Sequence, residues 1–399
     1  MMAPNGVRKF SLTGDSNWTT FIMKARELRK HYADLSIVVL IPYASHTFED
    51  ARQELMRNGL NEYVDAVEIF IPTNAVASRY DFNFHLVYEI FRQMGEFDVV
   101  YINDPCLLGN YKAVAHSIGS KALFMSQCHF LDTSDCPLVP PEVSYWNRTV
   151  EATEKADINI WHCKTQELQW AELHPFNHHK SVTWKSGHST EMLNEPINMH
   201  NIRFDISLIP HSTTVVWVPN RIGGLGRSFD YTNNGRFLFD ELPKVKSKGF
   251  VVICGNPSQK ITNDEIAGCV PEYVKLVPGA LNYDEYKWCT QRADIVVALY
   301  DKDTNGGIAV LEAMHHGAMP LMLDINEYSR YFDDLNFPYN PRAKSLDDVA
   351  QAFDNLMLWK DEKAMSYIRT AMPNAIKKYS VEESTKQFVK ELNERLSAV

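Results

Sequence analysis

Residues 293–324 read ADIVVALYDKDTNGGIAVLEAMHHGAMPLMLD, and this stretch decides the fold. A β-rich apolar run, Ile295 to Leu299, passes through a polar turn with Gly306 and Gly307 into an apolar-periodic segment, Ile308 to His316. Gly317 stops that helix, and Met319 to Leu323 is the next buried strand. The unit is a β-α-β piece of a parallel sheet. Glycines ahead of a helix let backbone N–H groups and the positive end of the helix dipole approach a phosphate. Glu312, one turn in, could accept hydrogen bonds from two ribose hydroxyls. A turn needs glycine for conformation alone, however, and a helix glutamate is usually just solvated, so the pattern by itself admits both readings.

Working outward, 399 residues suffice for two domains, each with its own core. With 45% hydrophobic and 23% charged residues the chain is globular, and no apolar run approaches the roughly 20 residues of a membrane span. The N-terminus MMAPNGVRKF lacks a signal-peptide core, so a soluble protein of the cytoplasm is expected, the host's cytoplasm if a phage encodes it. Seven cysteines without C-x-x-C spacing favour reduced thiols over disulfides or a zinc site. A net charge of -10 argues against a broad basic surface for nucleic acid, though not against a local one.

Strand and helix alternate from the start. Lys9 to Thr13 is a first strand, the turn from Gly14 follows, and Trp18 to Tyr32 is helical; Asp15 and Ser16 either face a ligand or cap that helix. Ser36 to Ile41 and Ala66 to Ile71 are strands, with helices at Thr47 to Met56 and His85 to Met94. The strand Asp98 to Ile102 ends on Asn103-Asp104-Pro105, and polar groups at the carboxyl end of a parallel strand are where open α/β sheets hold ligands. Ala122 to Ser126 likewise runs into Gln127-Cys128-His129-Phe130-Leu131-Asp132. His129 and Asp132 could each supply a general base there, or be satisfied within a loop. Further on, Val143 to Lys155 and Thr165 to Leu173 are helices around the strand Ile158 to His162. His174 to His200 is irregular, with five histidines, Lys180, Trp184 and Lys185. That mixture suits a phosphate backbone with stacked bases, and a histidine-rich surface loop equally well.

A second domain begins near residue 205. Its β-branched run Ser212 to Pro219 leads into Asn220-Arg221 and Gly223-Gly224-Leu225-Gly226-Arg227. Phe250 to Cys254 is a strand ending at Gly255-Asn256-Pro257, Val274 to Val277 a short one, and Tyr283 to Thr290 the helix before the opening stretch. Leu346 to Leu358 is helical, and so is the tail Lys360 to Ala398, broken at Pro373.

The Arg221 region and the Glu312 unit together resemble GT-B glycosyltransferases, whose motif reads E-x7-E with G-x-G inside. Glu312 matches the second glutamate, which in that family holds the nucleotide ribose, and Gly307 the second glycine. Thr304 stands where the first glutamate is expected, so the chain departs from the motif there. Arg221 matches the arginine that faces the donor diphosphate. Asn234-Gly235 occupies the place of a lysine-glycine pair, and Arg227 or Arg236 could replace the missing charge. Gly255 corresponds to a glycine turn of the family. Thr304, Asn305, Gly306, Gly307 and Ile308 form the expected donor loop. The segments LEAMHHGAMPLMLDINEY and NRIGGLGR resemble bacteriophage DNA glucosyltransferases in layout, and the Gln127 to Asp132 region resembles the place of their catalytic aspartate.

The resemblance implies an α/β protein of GT-B type. It has two Rossmann-like doubly wound domains facing a cleft, 1–204 for the acceptor and 205–375 for the donor, and a C-terminal helix, 376–399, packing back on the first. It implies a glycosyltransferase, hexosyl or pentosyl, that uses a UDP-sugar as co-substrate without an essential metal. His129, Asp132 and Asp104 are the catalytic candidates. The expected acceptor is a 5-hydroxymethylated pyrimidine in phage DNA, which would make double-stranded DNA a partner and require an extruded base. A glycan, lipid or small-metabolite acceptor, or a non-catalytic nucleotide-sugar-binding module, are the alternatives. No membrane partner is expected, and sugar, stereochemistry and oligomeric state stay open.

Overall fold

The computed structural model describes residues 16–42, 66–70, 84–95, 97–102, 108–128, 145–204, 209, 211–219, 233–254, 273–276, 281–299, 307–324, 342–358 and 362–397. The strand expected at Lys9 to Thr13 and the helix at Thr47 to Met56 lie outside them. The chain forms two compact units, Met1–Ser186 with Ser384–Val399, and Gly187–Glu383.

In the first unit β1 (Val38–Pro42) pairs in parallel with β2 (Ala66–Phe70). A second parallel sheet runs in the order β3 (Val99–Ile102), β4 (Leu123–Cys128), β5 (Ile158–Trp161), β6 (Ser181–Thr183). Side chains alternate across it as a strand's period of two requires. Phe124 joins Phe91, Tyr111 and Val114 from the helices Phe84–Met94 and Leu108–Ser117, whereas its neighbour Met125 joins Ile160, Trp184, Phe388 and Leu392. Phe388 and Leu392 belong to the final helix, Val381–Leu396. The Phe388 ring stacks on Trp184 at 4.1 Å, Trp184 Nε1 donates to Thr385 Oγ1 at 3.0 Å, and Arg395 donates to the carbonyls of His179 and Ser181. Burying a side chain of this size contributes roughly 1.5–3 kcal/mol. The chain's last helix is thereby a structural part of the first unit, as expected.

The histidine-rich stretch is more ordered than its sequence suggested. It holds a 3-10 turn (Pro175–Lys180), β6 and a short helix (Thr190–Leu193). Trp184 and His188 are buried, and Lys180 Nζ donates to the carbonyls of Glu154 and Ala156. Trp184 and His188 serve the interior rather than a nucleic-acid surface, which corrects that reading for them, and the partly exposed Lys180 is engaged by backbone carbonyls.

Among the described residues the second unit holds a six-stranded sheet in the order β12-β11-β10-β7-β8-β9, every pair parallel. The strands are β7 (Thr214–Val218), β8 (Phe250–Cys254), β9 (Val274–Leu276), β10 (Ile295–Ala298), β11 (Met319–Leu323) and β12 (Arg342–Ala343). The chain builds outward from β7 to β9, then returns to the other side of β7 and builds outward again. Read from the other edge, this is the dinucleotide-fold order 3-2-1-4-5-6, with its switch point between β7 and β10. β7, β8, β10 and β11 are buried along their whole length, as strands covered on both faces are. Pro373 does not break its helix, which runs Glu362–Ile376. The proline lies in the last turn, where it costs the helix one hydrogen bond, and the stop comes instead at the 3-10 turn Lys377–Tyr379. Among the described residues no helix is long and apolar enough to cross a membrane.

Candidate functional site

An open α/β sheet binds ligands beyond the carboxyl ends of its strands at the switch point, here the ends of β7 and β10. The helix Ile308–His315 starts there. Gly307 caps it in the left-handed region, φ 51° and ψ 62°, and its carbonyl accepts from Val310 N at 2.8 Å and Leu311 N at 3.1 Å. That φ is cheap only for glycine. Helix geometry leaves the first amides without an intrahelical acceptor, so the turn presents donors at the positive end of the helix.

Glu312 lies one turn in and is 7% exposed. Burying a carboxylate away from water raises its pKa to about 7, although the hydrogen bond it accepts from the Tyr286 hydroxyl works in the opposite direction. Tyr286 comes from the helix Tyr283–Arg292, whose start is fixed by a capping box between Asn282 and Glu285. Arg203 grips the fully buried Glu285 through Nε at 2.9 Å and a second nitrogen at 2.6 Å. The Tyr286 ring meets the buried Trp217 of β7 edge-on at 5.2 Å. Tyr286 thus joins β7, one strand of the switch point, to the glutamate. Nothing in the sequence marks it, because its partner is 26 positions away and becomes a neighbour only in the fold.

Asn234, in the place of the family's lysine, is 3% exposed and accepts from Leu299 N at 3.2 Å, just past β10. It ties the helix Asn233–Arg236 to the sheet. That helix continues as a π turn, Phe237–Glu241, a geometry frequent at functional sites. Arg236 is half exposed, its Nε 3.9 Å from Asp240, a separation too long for a hydrogen bond. Its charge is therefore only loosely engaged.

Of the residues singled out in the sequence, Gly307, Ile308 and Glu312 come together at this helix, and Arg236 sits on a helix tied to the end of β10. Asp104, His129, Asp132, Arg221, Arg227, Gly255, Thr304, Asn305 and Gly306 lie outside the described residues. Among the described residues no cluster of three or more His, Cys, Asp or Glu side chains could hold a metal ion. A cavity of about 480 Å³ opens elsewhere, at the amino ends of β7, β10 and β11, and is lined by Thr214, Asp294, Ile295, Met319 and Arg369 among others. There Asp294 is held by Arg369 at 2.6 Å, Arg292 at 3.2 Å and Val215 N at 2.9 Å. That is the wrong end of the sheet for the helix amides, and its charge is already satisfied.

No family model and no curated protein matches the chain. Solved structures do. Anabaena Alr3699/HepE in complex with UDP and glucose superposes with a TM-score of 0.69 at 12% identity, over 98% of each chain. A glycosyltransferase from Rickettsia africae gives 0.63 at 12% identity, over 95% of this chain and 94% of that one. The UDP-GlcNAc 2-epimerase of Neisseria meningitidis, bound to UDP-GlcNAc, gives 0.56 at 15%, over 96% and 97%. At such identities the likeness carries the fold: two Rossmann-like domains of parallel sheet and helices, as in GT-B glycosyltransferases.

Proposed function

We propose that this chain is a glycosyltransferase that takes a sugar from a uridine diphosphate donor. The observation that carries the reading is Glu312, a buried carboxylate one turn into a helix that begins, after a left-handed glycine, at the switch point of the second unit's sheet. A ribose diol offers such a group two donors, and the diphosphate fits the amides of the preceding turn. Arg221, three residues beyond β7 in sequence, with Arg227 or Arg236, would hold the diphosphate and stabilise it as it departs, so the reading asks for no metal. The neighbours solved with UDP or UDP-sugars support the donor class. Because one of them is an epimerase, the assay must weigh products rather than detect UDP release alone.

On the acceptor side, the resemblance of the Leu311 to Tyr328 and Asn220 to Arg227 segments supports a 5-hydroxymethylated pyrimidine in DNA. The net charge of -10 favours the second reading, a glycan, lipid or small metabolite. A hydroxyl acceptor in an inverting reaction needs a base within hydrogen-bond reach, and His129 is the first candidate, Asp132 the second and Asp104 the third. In a retaining reaction the departing phosphate oxygen could take the proton and these side chains would orient the acceptor.

The test is to incubate the protein with a panel of nucleotide sugars and DNA with or without 5-hydroxymethylcytosine, then digest and weigh the nucleosides. A parallel arm offers glycans and small alcohols. Glu312→Ala should weaken UDP binding at least about tenfold, the loss of a charge-assisted hydrogen bond. Unchanged affinity in the folded variant would remove the assignment.

A further inference from the structure

Glu312 is a buried carboxylate with one oxygen committed. The Tyr286 hydroxyl donates to Oε2, while Oε1 accepts from none of the described residues. That leaves Oε1 as the carboxylate oxygen available to a ligand's donors. Tyr286 is itself held: its ring lies edge-on to Trp217, and its helix is anchored by the Asn282 and Glu285 capping box and by Arg203.

We propose that Tyr286 is the positioning residue of the nucleotide site, its hydroxyl fixing the Glu312 carboxylate so that Oε1 faces the ribose diol of the donor. The inference rests on the reading of Glu312 as the ribose ligand and deepens it. Without the phenol, two oxygens and several rotamers compete, and the carboxylate must be ordered when the nucleotide arrives. With it, one orientation is already in place.

A second consequence follows from proton linkage. A carboxylate that titrates near pH 7 in the free protein is ionised when it binds a diol, so UDP binding releases a proton in acid solution. Among the described residues Tyr286 is the titratable side chain that perturbs Glu312. Affinity for UDP should therefore tighten by roughly tenfold from pH 6 to pH 8 and level off above. Tyr286→Phe keeps the ring against Trp217 and removes only the donor. The carboxyl then titrates higher, and the rise in affinity moves to higher pH.

The experiment is calorimetry of UDP and of 2′,3′-dideoxy-UDP on the full chain, across pH 6 to 9, for wild type, Tyr286→Phe, Glu312→Gln and the double variant. The expected result is about tenfold weaker UDP binding by Tyr286→Phe at pH 7. Its pH profile should be displaced upward, its affinity for the dideoxy analogue unchanged, and the double variant no worse than Glu312→Gln. If Tyr286→Phe weakens both ligands equally, the phenol only supports the fold and the proposal is overturned. If Glu312→Gln weakens UDP but Tyr286→Phe leaves affinity and profile as in wild type, the positioning role fails and the ribose role stands. If Glu312→Gln binds UDP normally, the ribose reading fails and takes the proposal with it.

Discussion

Gly187 lies directly against the backbone of Tyr379: a Cβ added to it would stand 1.9 Å from the Tyr379 carbonyl oxygen and 2.8 Å from the carbonyl carbon of Ser380. The neighbouring residues are knitted together as well, His188 bridging to Ser380 and its carbonyl accepting from Val381 N at 2.9 Å. No side-chain rotation can relieve a clash with backbone. Gly187→Ala should therefore destabilise the protein by about 3 kcal/mol, the upper end of the cost of overpacking, since the strand-like contact itself must part. Urea unfolding of the variant checks this. A midpoint equal to that of wild type would show that the two segments do not approach so closely.

The same place predicts an acid response. His188 is buried, its Nδ1 has no partner among the described residues, and burial together with His315 and His316 pushes its pKa down to about 3. Burial and His315 push His316 down to about 4. In the unfolded chain both would titrate near the ordinary histidine value of about 6.5. Between those values the unfolded state binds more protons, so stability is full above pH 6.5 and falls as the pH drops toward 4. Burial lowers His315 as well, and His188→Leu removes one of these three sites. Its stability, measured by urea unfolding at pH 7 and pH 5, should fall less on acidification than that of wild type, and parallel losses would refute the assignment.

What the sequence disclosed and what it hid follow the reach of the interactions involved. The unit around Glu312 was legible: the runs at Ile295 and Met319 are strands, and Ile308–His315 is the helix between them, because a strand buried on both faces must be apolar throughout. β6 was not. Its Ser181, Val182 and Thr183 carry little apolar signal, and their satisfaction comes from afar, Trp161 Nε1 donating to Ser181 Oγ at 3.0 Å and Thr183 Oγ1 to Glu167 at 2.5 Å. Tyr286 was hidden for the same reason, and so was the bond that Asn234, noted for its place in the sequence, accepts from Leu299 N. Each acts on a residue more than 20 positions away, and only the β-α-β crossover makes them neighbours.

Lys24 gives a test in the alkaline direction. It is 2% exposed in the helix Ser16–His31, where Nζ donates to Gln127 Oε1 at 3.0 Å and the Trp184 carbonyl at 3.1 Å and sits 4.4 Å over the Trp184 ring. Burial lowers its pKa to about 7, against an ordinary value near 10.5 in the unfolded chain. The unfolded state therefore binds more protons between those values, and this group's contribution to stability grows as pH rises through the window. Wild type should gain stability from pH 7 to pH 9 at this site. Lys24→Met should lose that slope, and at pH 7 should lose the two hydrogen bonds as well. Denaturant unfolding at both pH values separates the terms, and an unchanged slope in Lys24→Met would place the titrating group elsewhere.

The last prediction concerns the departing diphosphate. Arg221 follows the carboxyl end of β7, one of the two strands of the switch point, while Arg236 projects from a helix held to the end of β10 and is only loosely engaged by Asp240. Charge grows on the leaving oxygens as the bond to the sugar breaks, so a guanidinium fixed beside them acts more on the transition state than on the bound donor. Removing one such group typically costs roughly 10²- to 10³-fold in kcat. Arg221→Ala should show that loss with a smaller change in donor KM, and Arg236→Ala a weaker version of it. Arg221→Lys should recover part of the rate, because the charge returns without the two-pronged geometry. Steady-state kinetics on the sugar donor identified by the product assay will decide. Near-normal turnover by Arg221→Ala, with a large loss in Arg236→Ala, would move the diphosphate to the β10 side of the switch point.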